Sequence, residues 1–267
     1  MTHPIGRVLI IAGSDSGGGA GIQADIKAVT ALGGFAMTAI TAVTVQNTKG
    51  VFGVHGIPLE IVEAQARVVL EDIGADAFKT GMLATVETAE LAARLIADAG
   101  VPAVVDPVMI AKGGESLLEQ RAIEAIRSVL VPLSSLLTPN APEAEALTGL
   151  QVLDADGQRR AGERLLELGA KAVLMKGGHV PGDRVIDILM TAAGETVLET
   201  ERLDTPHTHG TGCTLASACA AGLAQGMALE AAVTRAWAYT AEAIRRAPGF
   251  GGGHGPLDHA WPLRGLA

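Results

Sequence analysis

Apolar residues fall along the chain in two rhythms. Short, mostly apolar runs that do not alternate occupy 7–12, 103–108, 135–138 and 172–176, and 77–80 is a further expected short strand. The runs read as strands covered on both faces, because a half-exposed strand would alternate. β-branched residues favour strands at 37–45 and 50–57, and 185–191 with 196–202 read as a strand pair. Helical periodicity or helix-forming composition predicts helices over 22–32, 59–73, 86–99, 116–130, 141–148, 156–168, 211–225 and 229–246. Strands alternating with helices predict βαβ units with right-handed crossovers. The expected class is α/β, three-layer αβα, around a mostly parallel central sheet. No repeat, low-complexity block or linker interrupts 1–267, so one domain is expected.

Ligands of such sheets sit beyond the carboxyl ends of the strands. Polar and glycine clusters at 13–21, 79–82, 106–114, 138–143, 176–179 and 209–213 each follow a predicted strand. They are expected to converge on one edge.

Composition narrows the ligand. The 267 residues are 48% hydrophobic, enough for one large core. The formal charge is -9 and aromatics make up 3%. A general nucleic-acid binder would carry a basic face, and a single-strand binder would carry stacking aromatics, so both are excluded. Any phosphate must be held locally, by backbone amides, a lysine or two and a metal. The apolar run 215–224 is too short to span a bilayer, and Met1-Thr2-His3-Pro4 leads into a strand without a basic region and cleavage site. Two cysteines, Cys213 and Cys219, without a histidine cluster argue against zinc and for a reducing compartment. The expectation is a cytoplasmic protein without a membrane partner.

Gly210-Thr211-Gly212-Cys213-Thr214 opens a predicted helix. First-turn amides lack intrahelical partners, and with the helix dipole they favour an anion. A cysteine there is expected to have a lowered thiol pKa. Two readings stand on spacing alone: an anion hole beside a thiol, or a glycine turn before a packed cysteine. Asn140 with Glu143 has capping-box spacing, and both are also candidate Mg²⁺ or phosphate ligands. Asp106 ends an apolar strand and with Glu143 makes a sparse acidic pair for one metal. Lys176-Gly177-Gly178 and Lys112-Gly113-Gly114 are candidate phosphate segments. The loop Gly13–Gly21 lacks the G-x-x-x-x-G-K-[ST] pattern and has no G-x-G-x-x-G fingerprint with its acidic partner. Its glycines, with Ser14, Asp15 and Asp25, suit a small polar substrate or a plain turn. Gln46 and Asn47 end a strand as turn residues or as readers of a ligand edge.

Together these segments resemble the hydroxymethylpyrimidine and phosphomethylpyrimidine kinases of thiamine synthesis, within the ribokinase-like superfamily. The segments are 10–25, 41–48, 79–83, 105–109, 137–144, 176–179 and 207–214, in order over nearly the whole chain. The resemblance implies a ribokinase-like fold, ATP as donor, Mg²⁺ and a homodimer. It implies phosphorylation of 4-amino-5-hydroxymethyl-2-methylpyrimidine to the monophosphate and then to the diphosphate. Where many sugar kinases of the superfamily carry a basic Asp, this chain has Cys213. By resemblance Cys213, Gly212 and Lys176 are catalytic. Gly13, Asp25, Gln46, Met82 and Val108 bind the pyrimidine. Gly210, Thr211, Lys176, Lys112 and Asn140 hold ATP phosphates, and Asp106 and Glu143 the metal. Two rivals stand: a pyridoxal or pyridoxine kinase on the same scaffold, and a non-catalytic pyrimidine-binding protein.

Overall fold

The computed structural model describes residues 4–109 and 116–264. Lys112, expected to touch phosphate, lies outside them. Nine strands form one sheet: β1 (Arg7–Ser14), β2 (Phe35–Asn47), β3 (Gly50–Gly56), β4 (Ala77–Thr80), β5 (Ala103–Val105), β6 (Leu136–Leu137), β7 (Ala172–Met175), β8 (Arg184–Thr191) and β9 (Gly194–Glu201). Their order is β3-β2-β1-β4-β5-β6-β7-β8-β9. The six central strands run parallel, while β3, and the β8–β9 hairpin beside β7, pair antiparallel. The helices are α1 (Gly21–Ala31), α2 (Leu59–Asp72), α3 (Val86–Ala99), α4 (Ser116–Ala125), α5 (Ala141–Thr148), α6 (Ala155–Glu167), α7 (Thr211–Ala224) and α8 (Leu229–Arg245).

Alternation along β1 builds the three layers. Leu9 and Ile11 join one buried core, under α2, α3, α5 and α6. Val8, Ile10 and Ala12 join the other, under α1, α7 and α8. Helix α7 is buried almost all round because its residues are small. A Cβ on its Gly222 would press on Ala232 of α8, so glycine there lets the two helices approach closely.

Two boundaries differ from the expected ones. The strand at 103–108 ends at Val105, where Asp106 and Pro107 turn the chain and Val108 N–H donates to Asp106 O at 2.8 Å. The helix at 116–130 leaves α geometry at Ala125, passes through a π turn at Ile126–Leu130, and tightens at Val131–Leu133. Pro132 has no N–H to continue the ladder.

Candidate active site

Strand β1 lies between β2 and β4, so successive connections leave it in opposite directions. Open α/β sheets bind ligands at such a switch point. The start of α7 meets the loop after β1 there. Gly210 caps α7 at φ 84, and a Cβ on it would run into the carbonyl of Gly19. Glycine is required twice over, by conformation and by space. Gly210→Ala is expected to cost about 1–3 kcal/mol of unfolding free energy, read from urea denaturation.

Thr211 N–H donates to Thr208 O and Thr214 N–H to Gly210 O. The amides of Gly212 and Cys213 have no acceptor among the described residues. Two free N–H groups at the start of a 14-residue helix favour an anion there. A cation stands beside them: Lys176 Nζ is 3.1 Å from where a Cβ on Gly212 would lie.

Lys176 donates to Asp106 Oδ1 at 2.9 Å and lies 3.7 Å from Glu143 Oε2. Thr138 Oγ1 donates to the same Asp106 oxygen at 3.1 Å. Burial pulls the Lys176 ammonium down, but Asp106, Glu143 and Cys213 together hold it above its ordinary range. Burial, with the nearby Asp106 charge, pushes the Glu143 carboxyl up against the pull of Lys176. The Asn140 capping box is formed: Glu143 N–H donates to Asn140 Oδ1 at 3.0 Å, and Asn140 N–H to Glu143 Oε2 at 2.8 Å. Capping therefore takes Asn140 Oδ1 and aims Glu143 at Lys176. Lys176 N–H donates to Pro139 O at 2.9 Å, which ties the end of β7 to the start of α5.

The acidic pair fits Mg²⁺. Asp106 Oδ2 and Glu143 Oε1 accept no hydrogen bond from the described residues, so each carboxylate keeps one oxygen for a metal-bound water. Two protein carboxylates suffice for an ion that retains waters and phosphate oxygens.

The substrate residues separate into two groups. Gln46, Met82 and Val108 are partly exposed, and Gly13 is buried against Met82. Gly13 N–H donates to Met82 O at 3.1 Å, and a Cβ on Gly13 would collide with the Met82 methyl. Asp25 is different. Its side chain is 0% exposed, and Lys79 Nζ reaches its oxygens at 2.9 and 3.0 Å while Ser217 Oγ donates at 2.7 Å. It is a buried support beneath the pocket and does not line it, contrary to its expected role as a substrate contact. Asp15 is likewise spent on its own loop: its carboxylate accepts from the amides of Gly17, Gly19 and Ala20.

Cys213 also departs from expectation. Burial, with the Asp25 and Asp106 charges, pushes its thiol up to about 11, against the opposing pull of Lys79 and the Gly21 amide. The thiol is therefore neutral near pH 7 rather than a thiolate. Alkylation by iodoacetamide is expected to be slow at pH 7 and to quicken about tenfold per pH unit towards pH 9. A rate already flat at pH 7 would show a low thiol pKa. Cys219 is fully buried and its thiol is pushed up to about 12 by burial, so it should stay unmodified in the folded protein.

Sequence reading missed two supports and the partner of His209, a residue that stands in the run 209–213. Lys79 is a lysine inside a short buried strand, and that misplaced charge was its signal. Asp187 is a lone acid in apolar β8; it accepts from Gly177 N–H at 2.6 Å and Trp237 Nε1 at 3.0 Å, fixing the turn after Lys176. His209 lies 3.0 Å from Asp15 Oδ2, a contact across 194 residues that no local pattern announces.

Comparison with known proteins finds relatives over nearly the whole chain. A phosphomethylpyrimidine kinase family model matches residues 15–258. A hydroxymethylpyrimidine/phosphomethylpyrimidine kinase of Streptomyces coelicolor is 50% identical over 98% of this chain and 97% of its own. The crystal structure of an ADP complex of Bacillus subtilis pyridoxal kinase superposes with a TM-score of 0.91 at 37% identity, over 98% of this chain and 99% of that one. A phosphomethylpyrimidine kinase structure from Clostridium difficile gives 0.78 at 42% identity, over 90% of this chain and 100% of that one. The expected ribokinase-like αβα class is the one these neighbours bear out. Its glycine-capped anion site, its lysine and its acidic pair thus stand in a chain that belongs to the phosphomethylpyrimidine kinase family.

Proposed function

We propose that this chain transfers the γ-phosphoryl group of ATP to the hydroxymethyl oxygen of 4-amino-5-hydroxymethyl-2-methylpyrimidine, and then phosphorylates the monophosphate to the diphosphate, in thiamine biosynthesis. The observation that carries the reading is the pair of free amides at Gly212 and Cys213 with Lys176 against them. Phosphoryl transfer asks chiefly for positioning and for donors aimed at the transferring group. Gly212, Cys213 and Lys176 supply those donors. Thr211 and Asn140 flank the phosphates, with the Asn140 Nδ2 left free by its cap. Asp106 and Glu143 would hold Mg²⁺, which neutralises phosphate charge when bound. The neutral Cys213 thiol is a poor proton acceptor at rest, so its amide carries more of the chemistry than its sulfur.

The single sheet supports treating 1–267 as one kinase domain. No helix among the described residues is long and apolar enough to cross a membrane, and both cysteines are free thiols, which suits a cytoplasmic enzyme. The homodimer has a candidate surface in the β2–β3 ribbon, where Val43, Val45 and Phe52 are exposed. Phe52→Glu is expected to shift the sedimentation profile from dimer towards monomer. A monomeric wild type would remove the dimer from the reading.

A pyridoxal kinase is the second reading, favoured by the superposition over 98% of the chain. The test compares kcat/KM for hydroxymethylpyrimidine and pyridoxine and identifies the phosphorylated products. A preference for pyridoxine above about tenfold, or about 1.4 kcal/mol, reverses the assignment. A reaction that halts at the monophosphate removes the second step, and tight binding without ATP consumption would make the chain a binding protein.

A further inference from the structure

Gln46 is partly exposed at the end of β2, next to the histidine that precedes the anion site. Its amide nitrogen stands 3.2 Å from His209 Nε2, and its amide oxygen 3.2 Å from Thr44 Oγ1. The neighbours decide which end is which, because the two ends of an amide have nearly the same shape.

Thr44 Oγ1 lies 2.8 Å from the carbonyl oxygen of Ser14. A carbonyl only accepts, so the single hydroxyl hydrogen of Thr44 goes there. Thr44 can then only accept from Gln46, and the facing atom must be nitrogen. On the other side, His209 Nε2 lies 3.0 Å from Asp15 Oδ2. Burial opposes ionisation of Asp15, but His209 and the amides of Ala20 and Gly17 hold its carboxyl below the usual range. The carboxylate accepts only, so His209 Nε2 carries a hydrogen. That hydrogen is shared with Gln46, and the facing atom must be oxygen. Both neighbours independently require the amide turned by half a revolution, oxygen to His209 and nitrogen to Thr44.

We infer that His209 and Thr44 are positioning residues that lock the Gln46 amide in this one orientation and so set which heteroaromatic ring the site accepts. The inference rests on the proposed pyrimidine reading and deepens it. The locked amide has one N–H and one oxygen lone pair left over. An aminopyrimidine offers the complement: a ring nitrogen that accepts beside an amino group that donates. The ring cannot turn over to suit the amide, because its hydroxymethyl group must face the free amides of Gly212 and Cys213. The amino group is therefore read on the His209 side.

The 4-oxo analogue of the substrate reverses the pattern, with a carbonyl where the amino group was and an N–H at the ring nitrogen. The wild-type enzyme is expected to prefer the amino compound over the oxo compound by at least about 10² in kcat/KM, because a mismatched polar pair is left unsatisfied. His209→Leu and Thr44→Val should each shrink that ratio at least about tenfold. His209→Gln, which keeps a donor at the same reach, should restore it. A structural role alone would weaken both compounds together and leave the ratio unchanged; a ratio within threefold of wild type in both folded variants overturns the inference. A wild type inactive on both pyrimidines refutes the function reading instead. Should the variants fail to fold, the wild-type protein still decides: nuclear Overhauser contacts from the Gln46 NH₂ to the Thr44 methyl are expected, and contacts to the His209 ring protons would overturn the lock.

Discussion

Lys176→Met should lower kcat by about 10²–10³ at saturating ATP and pyrimidine, the loss typical of removing one preorganised charged donor. The methionine keeps most of the stem and removes the charge. In the wild type that charge has two duties. It lies beside the free amides of α7, where charge gathers on the transferring phosphoryl group. It also stands between Asp106 and Glu143, whose side chains are 2% and 12% exposed. Without it the two carboxylates face each other in a low-dielectric pocket, and Glu143, already pushed up by burial, takes up a proton more readily. The variant should therefore lose affinity for MgATP as well as turnover. The measurement is steady-state kinetics on protein shown to be folded by circular dichroism. A kcat within about tenfold of wild type would leave the amides alone as the source of charge stabilisation.

The fold was legible because its grammar is local. The continuous apolar runs at β1 and β7 and the capping box of α5 need no partner to be recognised. Strand order was not legible. Nothing in 7–14 or 77–80 says that β1 and β4 are neighbours; that follows from the crossovers. The site divides the same way. Gly210–Cys213, Asp106, Glu143 and Lys176 each end or begin an element, so their convergence followed from topology alone. Asp25 misled because an acid beside a glycine loop looks like a ligand, whereas its partners Lys79 and Ser217 lie 54 and 192 residues away. The Cys213 thiol misled because a helix start lowers a thiol pKa only when burial does not outweigh it. Desolvation is a property of packing, which local sequence does not carry.

That buried support carries the second large effect: Lys79→Met is expected to destabilise the protein by about 4 kcal/mol at pH 7. Lys79 and Asp25 are both 0% exposed, with Ser217 as the other hydrogen-bond donor to the carboxylate. Breaking a buried pair leaves one charge without compensation, at about 3–5 kcal/mol. Proton uptake sets the upper limit. Once the ammonium is gone, Asp25 escapes its penalty by binding a proton, and holding one at pH 7 on a group whose ordinary pKa is 3.8 costs about 4 kcal/mol. The sign of the pH dependence follows. In the folded variant the Asp25 pKa is raised above its unfolded value, so the folded state holds a proton that the unfolded chain has released. Stability is then greatest below pH 3.8 on this account and falls by up to about 1.4 kcal/mol per unit as pH rises. The wild type shows less of this slope. Burial pushes its Asp25 carboxyl up as well, but the charged Lys79 and Ser217 pull against that rise. Lys79 keeps its charge because Asp25, Cys213 and Asp106 outweigh the burial that opposes it. Urea denaturation of both proteins at pH 5, 6 and 7 should give a difference that widens with pH. A second variant, Lys79→Met with Asp25→Asn, removes the titrating group and should lose the widening. A difference below about 1 kcal/mol at pH 7, or one constant with pH, would mean that water reaches the pair and that the pocket floor is not the dry, paired support that the geometry describes.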